Sequence, residues 1–298
     1  MNLRAVMQAM VRREAIAERA LARRIGATER ELVGIYRGAR DEVRSVLSRA
    51  YEKYAVNGVL TDAEMSRYGR MAALEKELNT AIGQANARAH RTNNLLVRTQ
   101  FEEAFARRAW AVEQSLGRGL PWGKIPTRAV EAAVNSPLAD IAYDRLRTNS
   151  RQSIRRTLAQ GMIRGDSYPA MAREIGRVIN GSASDAVRIA RTEAHRVQNQ
   201  AALYATEKMQ EIGLTVRKQW VSVTDDRTRD EHSDMDGVFA DDDGLFTMPD
   251  GARGEVPGSI GEAHHDINCR CTYIDVIEEV PEDVEGRQQE PRTVEELR

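Results

Sequence analysis

The chain has 298 residues, 30% of them charged and only 5% aromatic, with a formal net charge of −1. That length suits about two domains. No run of about 18 apolar residues is present, which argues against a transmembrane helix, and the Arg-rich N-terminus carries Glu14 and Glu18 and no apolar core, so it does not read as a secretory signal.

The first 215 residues or so read as helix. Leu32, Ile35 and Ala39 fall at helical spacing, as do Val43, Leu47, Ala50 and Tyr54. Asn57-Gly58 breaks the pattern, and Thr61-Asp62-Ala63-Glu64 fits a capping box. Met71, Leu74, Leu78, Ile82, Ala85 and Ala89 then step by three or four, and Phe101, Phe105, Ala109 and Val112 continue the stripe. This predicts one long helix or two in line. Gly117 to Gly123, with Pro121, is a loop, and Pro126 and Pro137 mark the starts of shorter helices. Ser153 to Ile179 is helical with a break at Gly165-Asp166. Ser184 suits the cap of a further helix, which carries Val187, Ala190, Ala194, Val197, Ala201 and Tyr204 and ends at Gly213.

After Gly213 the texture changes. Val216 to Thr224 alternates as a half-buried strand does. Thr228 and Glu231 predict a second capping box around a short helix containing His232, and Asp236-Gly237 turns the chain. Residues 241–263 are rich in Asp, Gly and Pro, which predicts a long surface loop, and Ile267 to Ile277 reads as a closing strand. Residues 278–298 are acidic and weakly patterned, a tail or a loosely docked helix. The expected fold class is α+β: a long, mostly helical N-terminal arm and bundle, then a small C-terminal α+β domain with a short antiparallel sheet. The expected division is an arm over 1–125, a domain over 126–277 and an acidic tail over 278–298.

The near-zero net charge hides an asymmetry. Residues 1–219 hold 37 Lys and Arg against 23 Asp and Glu, and residues 220–298 hold 7 against 22. Such a split suits two different partners, or two lobes that bind each other. Nucleic acid is one partner for the basic part; positive charge spread over solvated helix faces is the other reading.

Both cysteines of the chain lie in Asn268-Cys269-Arg270-Cys271. At spacing two on a strand they would face one way, too close for easy disulfide geometry but well placed to offer two thiolates to zinc. His232, His264 and His265 are near in sequence, so a site of Cys269, Cys271, His232 and His265 (or His264) is feasible. The alternative is that the cysteines are small buried hydrophobes. A second constellation runs Trp220, Asp225, Asp226, Arg229, His232, Asp236, Gly237. It suits acid–base chemistry or a polar network that ties the long loop to the sheet. No nucleophile elbow, phosphate loop or HExxH stands anywhere in the chain. On the long helix, Arg191-Thr192-Glu193-Ala194-His195-Arg196 points Glu193 and His195 to different sides. Glu193 is expected to pair with Arg196, and His195 to line up with Arg191 and Asn199.

Taken in order, Arg188-Ile189-Ala190-Arg191-Thr192-Glu193, the Trp220-to-Gly237 set and Ile267-Asn268-Cys269-Arg270-Cys271 resemble the phage head-morphogenesis domain, the Mu F-like or minor head protein family. The likeness covers about residues 130–277. It implies a low-copy internal head component that binds the portal protein, enters the procapsid and influences DNA packaging or ejection. Other copies of the chain, or capsid and scaffold proteins, would be further partners, with no membrane involved. It also implies a virion location, with the host cytoplasm as the place of assembly. The motif residues carried over are Arg191, Thr192, Glu193, Trp220, Asp226, Arg229, His232, Asp236, Gly237, Asn268, Cys269 and Cys271. On this reading the chain is not an enzyme, and packaged double-stranded DNA would be contacted through its phosphates. The competing class is a zinc-dependent hydrolase or nuclease centred on His232, Cys269 and Cys271. The discriminating feature is an open metal position against a closed one.

Overall fold

The computed structural model describes residues 3–135, 137–281 and 290–298. The chain forms α1 (Leu3–Tyr54), α2 (Asp62–Met65), α3 (Arg70–Leu116), α4 (Thr127–Val134), α5 (Pro137–Arg164), α6 (Tyr168–Glu211), β1 (Thr215–Val221), α7 (Asp230–Asp234), β2 (Phe246–Thr247), β3 (Arg253–Gly254), α8 (Ala263–Asp266), β4 (Thr272–Glu279) and α9 (Val294–Leu297). The fold class is α+β, with a two-stranded antiparallel sheet of β1 and β4. Among the described residues, no helix is long and apolar enough to cross a membrane.

The chain divides into two compact units. One comprises Met1–Gly26, Leu95–Ser136 and Arg191–Arg298, and the other Ala27–Asn94 and Pro137–Ala190. The expected division follows the chain, whereas these units interleave, because α1, α3 and α6 each give a segment to both.

The second unit is helical. Its buried stripe includes Leu32, Tyr36, Val43 and Leu47 from α1, Leu78, Ile82 and Ala85 from α3, Ile154 and Leu158 from α5, and Ile175 and Ile179 from α6. Burial leaves polar groups in need of partners. The Tyr36 hydroxyl donates to Asn86 at 2.7 Å, and Ser150 and Ser182 share a hydrogen bond at 2.8 Å. Asn57-Gly58 makes the predicted turn, closed by a Val56–Val59 pairing, and α5 gives way to α6 at Gly165-Asp166 as expected. Thr61 caps α2, but Glu64 turns to Arg67 and Arg70 instead of completing the box. Ser184 caps nothing: α6 runs unbroken through it, and its hydroxyl donates to Asn180 O one turn back.

The first unit holds the sheet. Trp220 on β1 faces Tyr273 on β4, and the buried face of β1 is Val216, Lys218 and Trp220. Against one end of this face, Phe101, Phe105, Val112, Val197, Ala201 and Met209 pack with Val216 and Ile277. Further along the same strands, Trp220, Phe246, Met248, Val256, Ile260, Tyr273 and the two cysteines form a separate core. A buried polar cluster locks α3 and α6 to β4: Asp275 accepts from Thr206 at 2.7 Å and lies 3.4 Å from Arg108, whose guanidinium also donates to Tyr273 O. Burial raises the Asp275 carboxyl above its ordinary range, against the pull of Arg108. The C-terminal segment is docked, with Leu297 buried. Residues 282–289 of the expected tail lie outside the described residues.

Candidate metal centre

The closing strand begins at Thr272, so the cysteines are not on it. Cys269 and Cys271 lie in the turn between α8 and β4, where Asn268 adopts a positive φ of 59° and Cys269 N donates to Asp266 O. Their sulfurs share a face because this turn is anchored on α6. Asn268 N donates to Thr192 Oγ1 at 3.1 Å, and Asn199 Nδ2 donates to Cys271 O at 2.9 Å and to Pro257 O at 2.8 Å. The Thr272 hydroxyl closes the clamp on Asn199 Oδ1.

The third donor comes from α7. That helix is not opened by a Thr228 capping box: Arg229 is its cap residue, with no side-chain cap bond. Thr228 instead donates to Val223 O, and Arg229 donates to Ile267 O at 2.5 Å, which draws α7 towards the cysteine turn. The Ser222 hydroxyl holds His232 O, and Asp236 accepts from Ser222 N at 2.8 Å. Trp220 packs edge-on to the His232 ring at 5.8 Å. Gly237 takes a φ of 79° where its N–H meets Trp220 O, a backbone state that favours glycine.

His232 Nδ1 consequently stands 3.7 Å from the Cys269 sulfur and 3.5 Å from that of Cys271. A tetrahedral ion with Zn–S near 2.3 Å and Zn–N near 2.0–2.1 Å sets sulfur–nitrogen edges of about 3.6 Å. The three donors therefore fit a zinc ion. The hydrogen bond from Cys269, with His232, pulls the Cys271 thiol down, while that same bond and burial hold Cys269 well up. Zinc takes cysteine as thiolate and histidine as neutral imidazole, and these three side chains are of those two kinds. The three residues are 2–3% exposed, so the site is closed to bulk solvent.

His265 does not join this group. Its Nε2 lies 3.0 Å from Asp250, its Nδ1 faces Glu231, and its ring sits 5.5 Å from that of His232. Asp226 is exposed on the surface, and its neighbour Asp225 does the tying. Asp225 takes a bidentate pair from Arg270, at 2.6 and 2.5 Å, across the cysteine turn. That pair, foremost, holds the Asp225 carboxyl well below the usual range. Glu193 pairs with Arg196 at 2.8 Å as expected. Sequence reasoning names Asp225 only as one member of the Trp220-to-Gly237 set, and does not single out Asn199, Arg270 or Asp250 as site residues. The signals for the first three are the two acidic residues after β1, an Asn four residues beyond His195 on α6, and the Arg between the two cysteines.

The family model for Phage Mu protein F like protein matches residues 152–274, which span His232, both cysteines and the anchoring part of α6. The minor head protein GP7 of Bacillus phage SPP1 is 30% identical over 266 residues, covering 86% of this chain and 85% of that protein. The chain belongs to the Mu F-like family of phage minor head proteins. In this chain Thr192, Trp220, Arg229, Asp236, Gly237 and Asn268 frame the donor cluster, and His232, Cys269 and Cys271 supply its ligand atoms. An NAD(+)–arginine ADP-ribosyltransferase of Enterococcus faecalis V583 is also similar, 27% identical over 84% of the chain, but the chain spans only 52% of that enzyme's length. No solved structure gives a significant match.

Proposed function

We propose that this minor head protein is an internal structural and assembly factor of the phage head that binds the portal protein and acts in DNA packaging or ejection, and that one zinc ion on His232, Cys269 and Cys271 clamps its C-terminal lobe. The observation that carries the assembly role is likeness to the SPP1 minor head protein across nearly its whole length. The region over 1–125 serves as the assembly arm, where Val11, Ile16, Val33 and Leu95 expose apolar side chains of the kind a partner helix or groove covers. Packaged DNA is met through phosphates: in the helical unit, Arg40, Arg44, Arg173 and Arg177 line one groove with Tyr168 and Asn180. The protein acts inside the head and is assembled in the host cytoplasm.

Zinc would supply folding energy here, by joining α7 to the turn before β4. The hydrolase or nuclease reading needs a substrate to reach the ion, and the burial of all three donors opposes it. We assign no transferase activity to the chain, since the enzyme named for it is shared over about half its length. Co-expression with the portal protein of the same phage tests the assembly role. Co-migration of the two on a size-exclusion column supports it, and separate elution with both proteins folded contradicts it.

A further inference from the structure

Beside the cysteine cluster, a second group of donors converges on the side open to solvent. Asp250 lies in the tight turn between β2 and β3, Glu231 in the first turn of α7, and His264 and His265 in α8. One carboxylate oxygen of Asp250 lies 3.1 Å from His264 Nε2 and 3.0 Å from His265 Nε2. With both imidazoles donating Nε2–H to Asp250, each is left with Nδ1 as a lone pair. Glu231 offers a carboxylate oxygen 3.6 Å from His265 Nδ1, and the ligand atoms of Glu231, His264 and His265 all lie within 4.8 Å of one another. His265 is fully buried, and its Nδ1 has no hydrogen-bond partner. A lone pair facing a carboxylate without a proton or an ion between them is unfavourable.

We infer that Glu231, His264 and His265 form a second divalent-cation site, with Asp250 as the carboxylate that orients both histidines. An imidazole whose far N–H is held by a carboxylate is the usual arrangement of a metal-bound histidine. A zinc ion with Zn–N and Zn–O bonds of 2.0–2.2 Å sets nitrogen–oxygen edges of about 3.4 Å, close to the observed separation. Two imidazoles and one carboxylate suit zinc, cobalt or nickel over magnesium or calcium. The side chains of Glu231, His264 and Asp250 are 46%, 56% and 37% exposed, so the remaining coordination positions face water, unlike those of the thiolate site. Bound there, the ion would pin the β2–β3 turn to α7 and α8. No donor is shared with the cysteine cluster, so this site stands or falls separately.

The test is cobalt(II) titration of the tag-free, metal-stripped full chain, followed by absorbance and by metal content after gel filtration. About two cobalt ions per chain are expected, one with a thiolate charge-transfer band and one without. Glu231→Ala/His264→Ala, both exposed side chains, should lose the ion without the band and keep the other. Cys269→Ser/Cys271→Ser should do the reverse. Binding of a single ion in the wild type, unaltered by Glu231→Ala/His264→Ala, would overturn the site. Loss of the thiolate band in that same variant would overturn it too, because the histidines would then serve the cysteine cluster. Circular dichroism on each variant separates loss of binding from loss of fold.

Discussion

Arg292 brings both its backbone N–H and its guanidinium to the buried carboxylate of Glu113, 179 residues earlier, at 2.7 and 2.6 Å. Glu113 also accepts from Leu120 N at 2.8 Å and from Trp122 Nε1 at 2.9 Å. One side chain on α3 thus ties down the following loop and the C-terminal segment. Glu113→Ala strands two buried N–H donors and a guanidinium, and is expected to cost about 3–5 kcal/mol. Arg292 is a third exposed, so Arg292→Ala should cost less, about 1–2 kcal/mol. Urea unfolding midpoints measure both, and two negligible costs would contradict the staple.

Asn199 satisfies the backbone on either side of the candidate metal turn, through Pro257 O and Cys271 O. Asn199→Ala is expected to cost about 2–3 kcal/mol through unpaired buried carbonyls. It should also weaken zinc binding by roughly 10–100-fold, because it frees the turn that aims the sulfurs. Competition with a coloured chelator reads the second effect. An unchanged affinity would show that Asn199 supports the fold alone.

His195 lies on α6, and its imidazole is pushed down to about 4, first by burial and then by the charge of Arg270. The unfolded chain takes up this proton near pH 6.5 and the folded chain only near 4. Folding therefore loses stability as pH falls through that window, and His195→Gln should remove part of the loss, roughly 1–3 kcal/mol at about pH 4. Comparing wild-type and variant unfolding midpoints at neutral pH and near the folded-state value decides it. Parallel losses in the two proteins would sink the assignment.

The helices were legible in the sequence, because α1, α3 and α6 are long and their apolar stripes keep one period over many turns. Residue type alone picks out Cys269, Cys271 and His232 as candidates, and the structure brings those three side chains together. Local signals failed where tertiary partners overrode them. Thr228 and Ser184 look like caps, but Val223 O took the hydroxyl of one and a continuous α6 took in the other. The cysteines read as strand residues because Ile267 to Ile277 is apolar and alternates, yet the Thr192 and Asn199 hydrogen bonds hold the first part as a turn. His265 is one residue from His264 and near the cysteines in sequence, and nothing local shows that Asp250 claims its ring.

The arginines of the helical unit give the DNA proposal a measurable form. Binding to duplex should ignore sequence and fall steeply as salt rises, since each neutralised phosphate releases counterions. Arg40→Ala/Arg44→Ala/Arg173→Ala/Arg177→Ala should flatten the logarithmic salt slope by about one unit for every phosphate no longer held. Fluorescence anisotropy with two unrelated duplexes checks it. Sequence-dependent affinity, or an unaltered slope, would contradict the proposed DNA groove.

The central claim, a zinc clamp on His232, Cys269 and Cys271, is tested most directly by elemental analysis of the purified chain beside Cys269→Ser/Cys271→Ser. The account predicts about one zinc fewer per chain in the variant, with a lowered unfolding midpoint. Equal zinc contents in the two proteins would contradict it, and would leave the cysteines as packing residues of the core around Trp220.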